Sequence, residues 1–354
     1  MGSSLSRQER ALSRKKSFQS NRSSHKSYDS SRRKSCEEKV NGCDHAYRKD
    51  NPKFAIPENT RGISRLEVQH YLMRYLYQNN FSSPQDPLLK PSDNNTVSQV
   101  LDLGCGAGTW AIDVAKEFPS CQVTGVDISS FFPIEFDKEN VPNVRFIEHN
   151  FQENKRLPFD DDTFDLVHMR FLLADIKEQD FENFLIPELV RVTKLNGWIE
   201  LLEFDVQQFS EGPITRQLTS SLMKYLKSNG YNGRISDNLP QYLRNTHKVG
   251  TINQHDKAIA LGRWAGRVGE LAIDDISRMF RDIKELPQSM GITEQEYREF
   301  LEVYKKEVEL KKTFFKTHRF YTQKIDGDEP QPTPKISAES QGTAPTLGMA
   351  SSLP

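Results

Sequence analysis

The sequence is poor in the residue patterns that build metal centres and disulfide frameworks. Its 354 residues include four cysteines, Cys36, Cys43, Cys105 and Cys121, and no two of them form a C-x-x-C pair. Reduced thiols in an intracellular compartment are the expectation, and a zinc site has no ligand pattern to rest on. The eight histidines include no H-E-x-x-H arrangement, so no metal is expected. Long apolar runs are also missing. Nothing approaches the roughly 20 residues needed to cross a bilayer, and no hydrophobic signal segment follows the basic start. Nor does one sign of charge prevail, since 48 Lys and Arg against 49 Asp and Glu leave a net −1.

That balance hides an uneven distribution. Residues 1–39 hold eleven Lys or Arg and four Asp or Glu, which makes this segment +7 and leaves −8 for the remaining 315. A mildly acidic body argues against nucleic-acid binding by the folded part, because phosphate contacts want a basic face. The basic segment is Ser-rich and almost free of large apolar side chains, so it lacks the surface to fold alone. Disorder is expected over residues 1–57, and again over 327–354, where EPQPTPK and SQGTAPT are linker-like. Residues 58–326 are then the folded domain, with a core over 97–205 and a segment at 206–300 expected to roof an acceptor site. With 36% hydrophobic residues the chain can build one sizeable core.

What is present is a nucleotide-cofactor turn. The run VLDLGCGAGTWAIDVAKEF passes from a buried-strand pattern through Gly104, Gly106 and Gly108 into a helical pattern. Trp110, Ala111, Val114, Ala115 and Phe118 recur on one helical face, and Pro119 ends it. About twenty residues after the glycines, CQVTGVDIS forms a short apolar strand finishing at Asp127, where a carboxylate can accept two ribose hydroxyls. The spacing D-x-G-x-G-x-G from Asp102 differs from the dinucleotide fingerprint. An acid directly before the glycines repels phosphates and suits an ammonium group.

At these residues the chain resembles the class I S-adenosylmethionine-dependent methyltransferases, in which one acidic residue precedes the glycine loop and a second ends the next strand. The resemblance implies an α/β fold: a doubly wound Rossmann-like sheet of seven mostly parallel strands, the last antiparallel, with a helical N-terminal lid and a helical insertion. It implies S-adenosylmethionine as cofactor, held by Asp102, Gly104, Gly106, Gly108, Asp127 and Ile128. NVRFIEHN reads as a third strand, after which the resemblance puts Asn150 and Phe151 at the adenine. LPFDDDTFDLVHM leads into a fourth strand, followed by Met169 beside the sulfonium and Arg170 on the acceptor side. FENFLIPELVRVTKLNGWIELLEFD reads as a helix, an Asn-Gly turn and a fifth strand from Trp198 to Phe204, with Pro187 predicting a kink or a late helix start. A lid helix is expected over 63–79, a helix at ITRQLTSSLMKYLKSNG, a sixth strand over 246–256 and a last strand in TFFKTHRFYTQKI. The segments LEVQHYLMRYLYQNNFSSP, VHMRFLLADI and GRWAGRVGELAIDDI also resemble fungal methyltransferase-domain proteins related to regulators of secondary metabolism.

Methyl transfer is an in-line displacement that asks mainly for near-attack geometry, so no base is obligatory. For a hydroxyl acceptor, His168 and His149 near the strand ends are the nominal bases, with hydrogen-bonded structural histidines as the alternative. Arg263, Trp264 and Arg267 can bind a planar or anionic acceptor, or equally cap the domain. Two functions fit: a methyltransferase acting on a small molecule or protein, and a methyltransferase-like regulator working by association. The start MGSSLS places Gly2 and Ser6 as an N-myristoylation signal requires, and the basic arm supplies a second membrane signal. A lipid-free basic tail or nuclear-import segment is the alternative, so the expected location is cytoplasmic, with nuclear or peripheral membrane association open.

Overall fold

The computed structural model describes residues 64–84, 97–128, 132 and 141–327. The expectations for the basic arm, the C-terminal tail and Gly2 lie outside the described residues. The first element is helix α1 (Arg65–Tyr77), opened by a capping box in which Ser64 and Glu67 satisfy each other's backbone N–H. Its inward stripe carries His70, Leu72, Met73 and Leu76.

Strand β1 (Gln99–Leu103) is buried along nearly its whole length, as its continuous apolar run demands. Gly108 ends the loop and caps α2 (Thr109–Glu117), whose buried face is Trp110, Ala111, Val114 and Ala115. Then follow β2 (Gln122–Asp127), β3 (Val144–Glu148), the single turn α3 (Phe151–Asn154) and β4 (Phe164–Arg170). Pro187 follows a widened stretch: a π-helical segment over Phe181–Leu185 precedes α4 (Ile186–Val192), and Pro187 stands in the first turn of α4, where its missing N–H costs little.

Strand β5 (Thr193–Phe209) runs further than the expected Trp198–Phe204, because after an irregularity past Phe204 it pairs again, Gln208 with Phe315 and Phe209 with Phe314. The insertion comprises α5 (Pro213–Ser228) and α6 (Leu239–Asn245). The sixth strand, expected over 246–256, is β6 (Asn253–Ala260). Residues before it turn through His247 at φ +56°, and β6 lies at the sheet edge with its first half solvated, so QHDKAIA carries no apolar alternation. Helices α7 (Gly266–Asp282), α8 (Leu286–Met290) and α9 (Glu294–Lys311) lead to β7 (Phe314–Gln323).

The seven strands lie in the order β3-β2-β1-β4-β5-β7-β6. β1 to β5 are parallel, and β7 is antiparallel to both β5 and β6. This is the expected class I methyltransferase sheet. The chain reverses its strand order at β1 and β4, so the cleft opens at the carboxyl ends of those strands. α1 closes the cleft from one side. It is fastened to α7 by Arg65 and Gln69, both on Asp275, at 3.3 and 3.4 Å.

Candidate cofactor cleft

The glycine loop and the end of β2 are one hydrogen-bonded unit. Gly104 and Cys105 donate to the carbonyl of Val126, and Gly106 donates to Oδ2 of Asp127 at 2.8 Å. Two of the glycines are required by both conformation and space. Gly104 and Gly108 each have φ +70°, and a Cβ would meet Leu172 at 2.7 Å on the first and the Phe146 ring at 2.6 Å on the second. The half-buried Asp127 is followed by Ile128, an apolar side chain 48% exposed at the mouth of the cleft. Such a residue leaves apolar surface for a ligand to cover. Leu66 of α1 reaches over the loop at Gly106.

Asp102 stands at the base of the cleft, and its Oδ1 accepts from Nδ1 of His168 at 2.9 Å. The two occupy paired positions on β1 and β4. Trp110 lies flat on the His168 ring, 3.8 Å between centroids and 3° from parallel. Burial lowers the His168 pKa, so the ring is neutral with its proton on Nδ1. Its Nε2 is sealed in the interior without a partner. The expected role as a base is therefore corrected: this imidazole cannot reach an acceptor, and its work is to hold Asp102. His149 sits at the other end of the problem. Its Nε2 bonds the carbonyl of Arg156 at 3.1 Å, and the end of β3 lies three strand spacings from β4, roughly 14 Å.

Other expected contacts are also reassigned. Oδ1 of Asn150 accepts from the backbone of Gln152 and Glu153, capping α3 and leaving less for an adenine amino group. Phe151 is buried and packs against Phe184, so its ring is not available for stacking. Met169 is buried in the core beneath the sheet. The β4 side chain on the cleft face is Arg170, two residues beyond His168 and so on the same side. Arg263 and Arg267 pair with Glu270 of their own segment at 3.2 and 3.4 Å, and Trp264 donates to the Leu261 carbonyl at 2.7 Å. These contacts cap the loop before α7 and do not join the strand ends at the cleft.

Two features emerge only in three dimensions. His70 of α1 bridges Arg170 and Asp113 of α2, with Arg74 also on Asp113 at 2.9 Å. The available signal was a histidine at the centre of the apolar stripe Leu66, His70, Met73. Second, Glu203 is wholly buried within β5, level with the end of β4, and its Oε1 accepts from the backbone of Leu172 at 2.6 Å. Burial pushes its carboxyl up to about 8. Beside it, Phe171 takes φ +58° at the end of β4 and meets Phe204 edge-on at 5.6 Å, and Phe204 in turn meets Phe315. A phenylalanine in that backbone region is strained.

Residues 100–197 match the methyltransferase domain family. The chain carries a methyltransferase domain. Its similarities run to fungal proteins. Methyltransferase str3 of Strobilurus tenacellus is 26% identical over 205 residues, covering 56% of this chain and 68% of that protein. N-methyltransferase tcpN of Claviceps purpurea is 24% identical over 250 residues, covering 67% and 83%. The secondary metabolism regulator laeA of Coprinopsis cinerea is 30% identical over 161 residues, covering 43% of this chain and 36% of the regulator. S-adenosylmethionine is the cofactor of this methyltransferase. The cleft residues fit it in chemistry: a carboxylate and an apolar side chain at the end of β2, and a second carboxylate at the base of the glycine loop.

Proposed function

We propose that the cleft at the carboxyl ends of β1, β2 and β4 holds S-adenosylmethionine and that the methyl acceptor is a small molecule with an apolar or aromatic body. The observation that carries the cofactor part is the Gly106 to Asp127 hydrogen bond, which joins the two motifs into one surface. Asp127 takes the ribose hydroxyls, Ile128 lies against the adenosine, and Asp102 takes the methionine ammonium. When bound, the cofactor supplies an electrophilic methyl group on a charged sulfur.

The protein's own residues orient and exclude water. α1 covers the loop through Leu66, and the partly exposed Phe171, just past β4, and Phe204, within β5, form an aromatic wall. That wall supports an apolar acceptor body. With His168 sealed and His149 distant, the acceptor atom is one that reacts without a histidine base, such as a neutral amine or an already ionised oxygen or sulfur. Holding such an atom in line with the methyl group supplies most of the acceleration.

The test is incubation of the full chain and cell extract with methyl-labelled cofactor. Label in a low-mass apolar product, reduced in a Phe204→Ala variant, is the expected result. Label confined to protein would overturn the small-molecule acceptor. Cofactor binding with no transfer at all would favour association as the mode of action, the reading that similarity to a regulator supports.

A further inference from the structure

Arg170 is an arginine without an acid. It is half-buried at the end of β4, and although burial lowers its pKa to about 10 it stays charged at neutral pH. No carboxylate among the described residues comes within ion-pair distance of it. Its one hydrogen bond there is from Nη1 to Nδ1 of His70, at 3.3 Å. Because an arginine can only donate, His70 must accept at Nδ1 and carry its proton on Nε2, which then donates to Asp113 at 3.2 Å. Burial lowers the His70 pKa to about 4, consistent with a neutral ring that can accept. His70 thus holds one edge of the guanidinium against α1 and α2 and leaves Nε and Nη2 without a described partner.

Position says what those donors face. Asp102 pairs with His168 in the sheet register, and Arg170 lies two residues further along β4 on the same face. Asp102 and Arg170 therefore stand one above the other where the glycine loop leaves β1, one negative and one positive, too far apart to pair directly. A half-buried guanidinium with two donors free and no carboxylate at ion-pair distance is stabilised further when an anion completes it.

Resting on the cofactor reading above, we propose that Arg170 binds the carboxylate of the cofactor's methionine while Asp102 binds its ammonium, so that the pair reads the amino-acid zwitterion. This moves Arg170 from the acceptor side, where the sequence had suggested it, to the cofactor. His70 is the positioning residue that aims it.

The experiment compares binding of S-adenosylmethionine with that of decarboxylated S-adenosylmethionine by calorimetry, on the full chain and on Arg170→Ala. Wild type should prefer the carboxylated form by about tenfold to a hundredfold, the range for a hydrogen-bonded charge pair. In Arg170→Ala the preference should vanish through loss of affinity for the carboxylated form alone. Should that variant fail to fold, Arg170→Lys keeps the charge without the forked donors, and its preference should fall between the two. Equal binding of both compounds by wild type, or equal weakening of both in the variant, overturns the proposal. Binding of neither by wild type overturns the cofactor reading itself.

Discussion

Asp102 on β1 and His168 on β4 face each other across the parallel pair and share a 2.9 Å hydrogen bond beneath the ring of Trp110. The bond fixes the carboxylate at the base of the cleft and spends the donor proton of a neutral imidazole. His168→Ala removes the donor and opens a space under Trp110, and should cost roughly 2–4 kcal/mol of stability. Urea unfolding measures it. His168→Asn, which keeps a donor, should recover part of the loss, and a variant as stable as wild type would show that the bond has no structural value.

Asp127 accepts from the glycine loop at Gly106, and the proposed function gives it the ribose hydroxyls as well. Asp127→Ala should weaken cofactor binding by about 1.5–3 kcal/mol, the cost of losing a charged hydrogen-bond acceptor. Titration calorimetry checks it. Equal affinity in the variant would remove Asp127 from the site.

Gly108→Ala must put a methyl group at φ +70° and against the Phe146 ring. The substitution should cost roughly 1–3 kcal/mol through backbone strain and overpacking, and should weaken cofactor binding by distorting the loop. Thermal unfolding with and without cofactor separates the two effects.

His318 lies between Asp205 and Asp256, at 3.1 and 2.8 Å, and those two carboxylates raise its pKa to about 9 against the opposing effect of burial. A base whose folded pKa is raised stabilises fully below its unfolded value near 6.5 and loses that contribution as pH rises through 9. The buried Glu203 acts in the same direction, since its raised carboxyl favours the folded state below 4.5 and ceases to do so as pH passes 8. The melting temperature should therefore fall between pH 6.5 and 9, and the fall should be shallower in His318→Gln. An unchanged slope in that variant would show that the clamp contributes nothing.

At the start of α7 and the turn before it the expectation is structural. Arg267→Ala should change stability by less than about 0.5 kcal/mol, as exposed pairs usually do. Trp264→Ala, which removes a packed ring and its bond to Leu261, should lower the melting temperature while cofactor affinity stays unchanged. Loss of methyl transfer at full stability would return both residues to the acceptor site.

The parts legible in the sequence are those governed by neighbours along the chain. Three glycines between a strand and a helix, an acid at the end of the next strand and the apolar periods of β1, α2 and β7 all depend on backbone conformation and side-chain spacing within a few residues. Strand β6 was misplaced because an edge strand with a solvated half needs no apolar alternation. The rest was decided by the order and register of the sheet. His70 and Arg170 are 100 residues apart in sequence, and Asp102 and His168 are 66 apart; only the placement of β4 beside β1, with α1 laid across them, brings each pair into contact. The same packing closed His168 to solvent and left Arg170 with no carboxylate at ion-pair distance. Those outcomes follow from which distant surfaces meet, and no local pattern in a chain encodes that.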